Sequence, residues 1–136
     1  MTTAIGAPTY VTARDVEKVY PSPKGDVVAL RGMDLEIRDR EFMSVLGPSG
    51  CGKSTFLRCV AGLTDVTGGD LTVKGAAVTG PPAGMGIVFQ RDILLDWRSN
   101  IENVLLPIDF RRLNRREWEP RARDLFRQMG LFGRSA

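Results

Sequence analysis

A chain of 136 residues is enough for a single domain, and a domain of that size buries roughly 68 % of the surface its unfolded chain exposes. With 43 % hydrophobic and 26 % charged residues the composition is that of an ordinary globular protein, so disordered and fibrous classes are excluded and no disulfide or metal staple is required. Histidine is absent, which removes Ser-His and Cys-His nucleophile systems, histidine zinc sites and a histidine general base.

The net charge of +3 is uneven: residues 111–136 hold eight arginines against three acids, while the preceding 110 residues are slightly acidic. The basic stretch carries Trp118, Leu125 and Met129 at helical spacing, so it reads as the solvated face of a helix, and no nucleic-acid partner is expected. Cys51 and Cys59 define no disulfide framework and are expected to be reduced thiols. The opening MTTAIGAPTYVTARD has neither a basic nor an apolar leader region, and no apolar run approaches the about 18 residues of a membrane span. The expectation is a soluble, unexported chain that meets any membrane through a partner.

In chain order, Tyr10 to Leu46 predicts several short strands: the apolar Val27–Leu30, the alternating Leu35-Glu36-Ile37 and the mostly apolar Phe42–Leu46. Pro21-Ser22-Pro23-Lys24-Gly25-Asp26 is a turn-rich loop. A glycine-rich stretch leads into a helix with Phe56, Val60 and Leu63 on one face and Gly62 near its end. Leu71–Lys74 and Ala76–Val78 read as a strand pair, and Gly86–Gln90 as a strand. Ser99 and Glu102 form a capping-box pattern before a helix with Ile101, Val104, Leu105 and Ile108 on its apolar face, interrupted or kinked near its end by Pro107. A second helix carries Trp118, Ala122, Leu125 and Met129, with Gly130 after its end and Pro120 placed in its first turn.

Gly47-Pro48-Ser49-Gly50-Cys51-Gly52-Lys53-Ser54, followed by Thr55, matches the phosphate-binding P-loop pattern G-x-x-x-x-G-K-[ST]. Its glycines let the backbone curl so that N–H groups point at phosphate oxygens, and the following helix aims its positive end at the same anion. Lys53 supplies a full charge for the β and γ phosphates, and the Ser54 hydroxyl is suited to Mg²⁺. A strand before the loop and an amphipathic helix after it supply the context that this motif needs.

The stretch VLGPSGCGKSTFLRCVAGL resembles the ATP-binding subunit of ABC transporters, and the resemblance runs over nearly the whole chain. It implies an α/β fold: a P-loop core with an antiparallel β subdomain over residues 1–90, and the beginning of a helical subdomain over residues 91–136. It also implies that Tyr20 stacks on the adenine ring of ATP. Gln90, in Gly86-Ile87-Val88-Phe89-Gln90, resembles the family's Q-loop glutamine, which contacts Mg²⁺ and the attacking water and relays nucleotide state; its amide oxygen can ligate the metal while its nitrogen donates. The segment Leu94–Val104, with Trp97, is similar to subunits of nitrate, sulfonate, taurine and related importers. Partners implied are a second ATP-binding subunit in a homodimer, transmembrane permease subunits at the inner face of the membrane, and indirectly a solute-binding protein.

The family's LSGGQ-type signature, Walker B strand, D-loop and switch histidine do not occur in these 136 residues. The chain is therefore expected to be a truncated, C-terminally incomplete domain that binds ATP at most weakly and does not hydrolyse it. Cys51, inside the loop at a helix start, is expected to be chemically vulnerable. Two alternatives stand beside this reading: another P-loop NTPase such as a kinase or GTPase, and a short non-catalytic nucleotide-binding fragment.

Overall fold

Valine, threonine and tyrosine make up seven of the twelve residues from Thr9 to Tyr20, and their branched or aromatic side chains favour extended backbone. In the computed structural model, which describes residues 8–91 and 93–131, this stretch is β1 (Thr9–Tyr20). After the proline-rich turn comes β2 (Val27–Arg38), so the two short strands expected at Val27 and Leu35 are one twelve-residue strand. Next are α1 (Lys53–Val60), β3 (Gly68–Val73), β4 (Ala76–Ala77), α2 (Asn100–Phe110) and α3 (Arg115–Gln128). The sheet runs β2-β1-β3-β4 with every pairing antiparallel.

The chain falls into two compact units, divided between Ile87 and Val88. In the first, α1 lays Phe56, Cys59 and Val60 against Val11, Ala13, Val16, Leu30, Leu71 and Val73. Gly62 ends α1 in the left-handed conformation, its N–H bonding the Cys59 carbonyl at 2.9 Å while the Leu63 N–H bonds that of Arg58 at 2.9 Å. That is a Schellman closure, as the glycine's position predicts. Leu63, expected on the buried face, is exposed, since it lies beyond the left-handed Gly62 that ends α1.

Burial along β1 changes phase midway. Val11 and Ala13 are buried, then Val16 and Lys18, with half-buried Tyr20 continuing the second series. The cause is one extra residue on β1, visible in both ladders: Ala13 pairs Leu35 but Val16 pairs Met33, and Arg14 pairs Asp70 but Glu17 pairs Gly68. Asp15 takes φ 48° there, and its N–H donates to Asp34 Oδ1 at 2.8 Å. Opposite it, Gly69 has φ 72°, and a Cβ at that position would sit 2.1 Å from the Asp15 carbonyl oxygen. Without the bulge, strict alternation would turn Tyr20 to the other face of the sheet.

Two expected strands are absent. Phe42–Leu46 and Gly86–Gln90 are irregular backbone, with Phe42 92 %, Leu46 90 % and Val88 99 % exposed. An apolar run favours a strand only where neighbours satisfy its N–H and C=O groups, and among the described residues no strand pairs with either segment. The P-loop is thus entered from a loop, and its expected strand-loop-helix context holds only on the helix side.

The second unit is a helical hairpin that buries Leu105 and Ala122. Ser99 and Glu102 close the capping box that the sequence predicts: the Ser99 N–H donates to Glu102 Oε2 at 2.9 Å and Ser99 Oγ does so at 2.8 Å. Asn103 pins the preceding turn, accepting from the Leu95 N–H at 2.8 Å and donating to the Leu95 and Arg98 carbonyls, each at 3.1 Å. α2 continues through Pro107 to Phe110, so that proline does not end the helix. Pro120 is the sixth residue of α3 and not in its first turn. The Asn114 cap on the Arg116 N–H and the Arg115–Glu119 and Arg123–Glu119 ion pairs, at 3.8 and 2.7 Å, flank the proline and recover part of what the forfeited helix bond costs. Gly130 ends α3 in the left-handed conformation, as expected.

Gly69→Ala is expected to lower stability by at least the about 1–3 kcal/mol of a strained left-handed residue, since its Cβ also meets backbone. An unchanged thermal midpoint would refute the role given to this bulge. The Ser99 hydrogen bonds hold the Glu102 carboxyl below its usual range. A lowered folded pKa means stabilisation that is complete above the unfolded value of about 4.3 and is lost as pH falls through the folded one. Helicity should therefore decline on acidification in the wild type, with a smaller acid-dependent loss in Glu102→Gln, as read by circular dichroism.

Candidate functional site

The phosphate loop gains its shape from two left-handed glycines, Gly50 at φ 82° and Gly52 at φ 93°, the second serving as N-cap of α1. Gly52 also lies where no side chain fits: a Cβ would be 2.4 Å from the Ala29 carbonyl oxygen and 2.7 Å from Leu30 Cδ2. The start of α1 is thereby seated against β2. No side chain caps this helix and its first turn carries no acid, so nothing on α1 competes with an incoming anion for its positive end.

Lys53 curls back into the loop. Its Nζ donates to the carbonyls of Gly47 at 2.7 Å and Pro48 at 2.6 Å, and lies 3.3 Å from Cys51 Sγ. A side chain at Gly47 would collide with that sulfur at 2.7 Å. Gly47, Pro48, Ser49, Gly50 and Cys51 are exposed, as is Ser54, while Thr55 is half-buried above the buried Phe56. The two cysteines are free thiols of opposite kind: Cys51 is exposed, whereas burial pushes the Cys59 thiol up, partly offset by the Lys18 charge. Among the described residues no cluster of three or more His, Cys, Asp or Glu could hold a metal ion. Ser54 stands exposed in the first turn of α1, beside the loop. A cavity of about 470 Å³ at the β3–β4 hairpin is lined by Val73, Lys74 and residues 76–83, none of them from the loop.

Tyr20 belongs to the same unit. It pairs with Val27 at the end of β1, two residues along β2 from the Ala29 carbonyl that meets Gly52. The ladder therefore brings the strand end bearing Tyr20 towards the end of α1 that bears the loop. Gln90 is exposed on irregular backbone in the second unit. Sequence reasoning missed Lys18, a buried cation whose Nζ lies 5.0 Å from the centre of the Tyr20 ring. The signal available was its spacing, since residues two apart share one face of a strand. Among the described residues no helix is long and apolar enough to cross a membrane.

Comparison with known proteins gives a consistent result. The sequence model of the ABC transporter family matches residues 30–135. The taurine import ATP-binding protein TauB of Rhizobium johnstonii is 46 % identical over 105 residues, which are 77 % of this chain and 40 % of that protein. Its namesake from Burkholderia thailandensis is 40 % identical over 89 % of this chain and 46 % of its own length. The bicarbonate transport ATP-binding protein CmpD of Synechocystis is 38 % identical over 90 % of this chain and 44 % of its own. The chain thus spans less than half the length of these relatives. Among solved structures, the dimeric post-hydrolysis state of the ATP-binding cassette MJ0796, bound to ADP and Pi, superposes with a TM-score of 0.78 at 29 % identity, covering 93 % of this chain and 60 % of that one. The α/β class and antiparallel β subdomain agree with that likeness, and the chain belongs to the ABC transporter family, in which it resembles the ATP-binding subunits of import systems.

Proposed function

We propose that the chain is the nucleotide-binding portion of an energy-coupling subunit for import of a small solute such as nitrate, a sulfonate or taurine. The observation that carries the reading is the uncapped, acid-free start of α1, with Lys53 folded into a glycine loop of its own. The names of the relatives, a taurine import and a bicarbonate transport ATP-binding protein, support a small-solute class. Residues 1–90 are read as the β subdomain with the P-loop core, and residues 91–136 as the beginning of the helical subdomain.

In this reading Lys53 leaves the Gly47 and Pro48 carbonyls and turns its ammonium to the β and γ phosphates of ATP, while residues 47–55 surround them with N–H groups. Ser54 offers its hydroxyl to Mg²⁺, which neutralises phosphate charge when bound. Tyr20 stacks against adenine, and Gln90 takes the metal-contacting and relaying role of the family's Q-loop glutamine. The complete assembly would hydrolyse ATP as a dimer and act through permease subunits at the inner face of the membrane, with a solute-binding protein delivering the cargo. Within these 136 residues no Walker B acid pair, signature or switch histidine is available, so this chain alone binds ATP weakly and does not turn it over.

Calorimetric titration of the purified chain tests this. Lys53→Ala should weaken Mg-ATP binding by about ten- to a hundredfold, the range for losing a charge-assisted contact. Equal affinity in wild type and variant would sink the nucleotide reading, and steady-state hydrolysis that Lys53→Ala abolishes would overturn the claim of incompetence. A maleimide should modify Cys51 well before Cys59, with Mg-ATP slowing the faster reaction; preferential labelling of Cys59 would contradict the burial that separates the two thiols.

A further inference from the structure

Lys18 is 9 % exposed, in a strand whose neighbouring inward residues are valine and alanine. A lysine in that setting requires partners for its ammonium, since a buried charge without them is strongly unfavourable. It has two. Nζ donates to the Asp65 carbonyl at 2.6 Å, and it stands over the Tyr20 ring, 5.0 Å from its centre. The Asp65 carbonyl belongs to a segment fastened to the same end of β1: the Thr67 N–H bonds the Glu17 carbonyl at 2.8 Å, and Thr67 Oγ1 accepts from the Val19 N–H at 3.0 Å. Lys18 is thus anchored to the chain leaving α1 and applied to a ring at the last residue of β1.

We infer that Lys18 is a positioning residue for the adenine platform: its ammonium occupies one face of the Tyr20 ring and leaves the other for the base. The inference rests on the reading of Tyr20 as the stacking residue. Tyr20 is the last residue of β1 and is followed by Pro21 and a turn. A cation over its ring face restrains it there, because the quadrupole of the ring attracts the ammonium. Asp65 fixes the ammonium in turn. Because that segment follows α1 and the phosphate loop precedes it, one short helix sets the distance between the two ends of the nucleotide site.

The test is a double-mutant cycle on the full chain, titrated with Mg-ATP and separately with Mg-tripolyphosphate, which has no base. Lys18→Met keeps the apolar stem and removes the charge. It should weaken ATP binding by about three- to tenfold, the range of a single cation–π contact, and leave tripolyphosphate binding unchanged. In a Tyr20→Leu background the same change should have no further effect, and Lys18→Arg should restore most of the affinity. Without nucleotide, the ring protons of Tyr20, one of two tyrosines, should shift in the spectrum of Lys18→Met. If Tyr20→Leu weakens ATP binding while Lys18→Met alters neither affinity nor the ring signals, the platform stands and Lys18 is not its positioner. Equal losses for both ligands, or a loss that persists with Leu at position 20, would make Lys18 a structural residue only. If Tyr20→Leu leaves ATP affinity intact, or the wild-type chain binds no ATP at millimolar concentration, the stacking reading fails and the inference falls with it.

Discussion

The approach of Gly52 to the Ala29 carbonyl is the contact on which the first unit turns. A side chain there would have to displace β2 backbone, so only glycine lets α1 begin directly against the sheet. From that contact follow the burial of Phe56, Cys59 and Val60 one turn on, the open mouth of the phosphate loop, and its closeness to the strand end bearing Tyr20. Gly62 closes the other end under a similar restriction, since a Cβ there would lie 2.1 Å from the Gly80 carbonyl oxygen. α1 is short and owes little to intrinsic helix propensity; its two ends are set by glycine and its middle by apolar packing.

Legibility in the sequence tracked the range of the interaction. The P-loop, the Ser99–Glu102 box and the helix ends at Gly62 and Gly130 are local devices whose partners lie within a few residues, and each stands where its pattern puts it. The strands were harder, because a run such as Phe42–Leu46 records apolarity but not whether a neighbour exists to pair with it. The bulge at Asp15 was invisible for a related reason. Its determinants, Gly69 and Asp34, lie in two other strands, and nothing in the run around Asp15 announces an extra residue. Tyr20 is singled out by motif resemblance alone, whereas the placement of the Lys18 ammonium over its ring depends on a carbonyl 47 residues away in sequence.

The second unit follows a different logic. Several of its arginines are engaged along the hairpin: Arg98 and Arg115 reach Asp109 at 3.2 and 4.0 Å, and Arg127 pairs with Asp124. Exposed pairs of this kind contribute little each. The hairpin depends more on the Asn103 turn, the capping box and the close packing allowed by Ala122. The charge asymmetry seen in the sequence lies on the surface of this helical hairpin.

Lys53 closes its own loop before any ligand arrives. The loop already contains its cation, so on the proposed function an entering phosphate would redirect a charge that the Gly47 and Pro48 carbonyls hold. Occupancy is in this sense an exchange of acceptors, with two hydrogen bonds surrendered for those gained. That toll falls equally on every phosphate chain, whatever it is attached to. On the proposed function the loop would answer only to a polyphosphate, and discrimination among nucleotides would originate at the end of the site assigned to Tyr20.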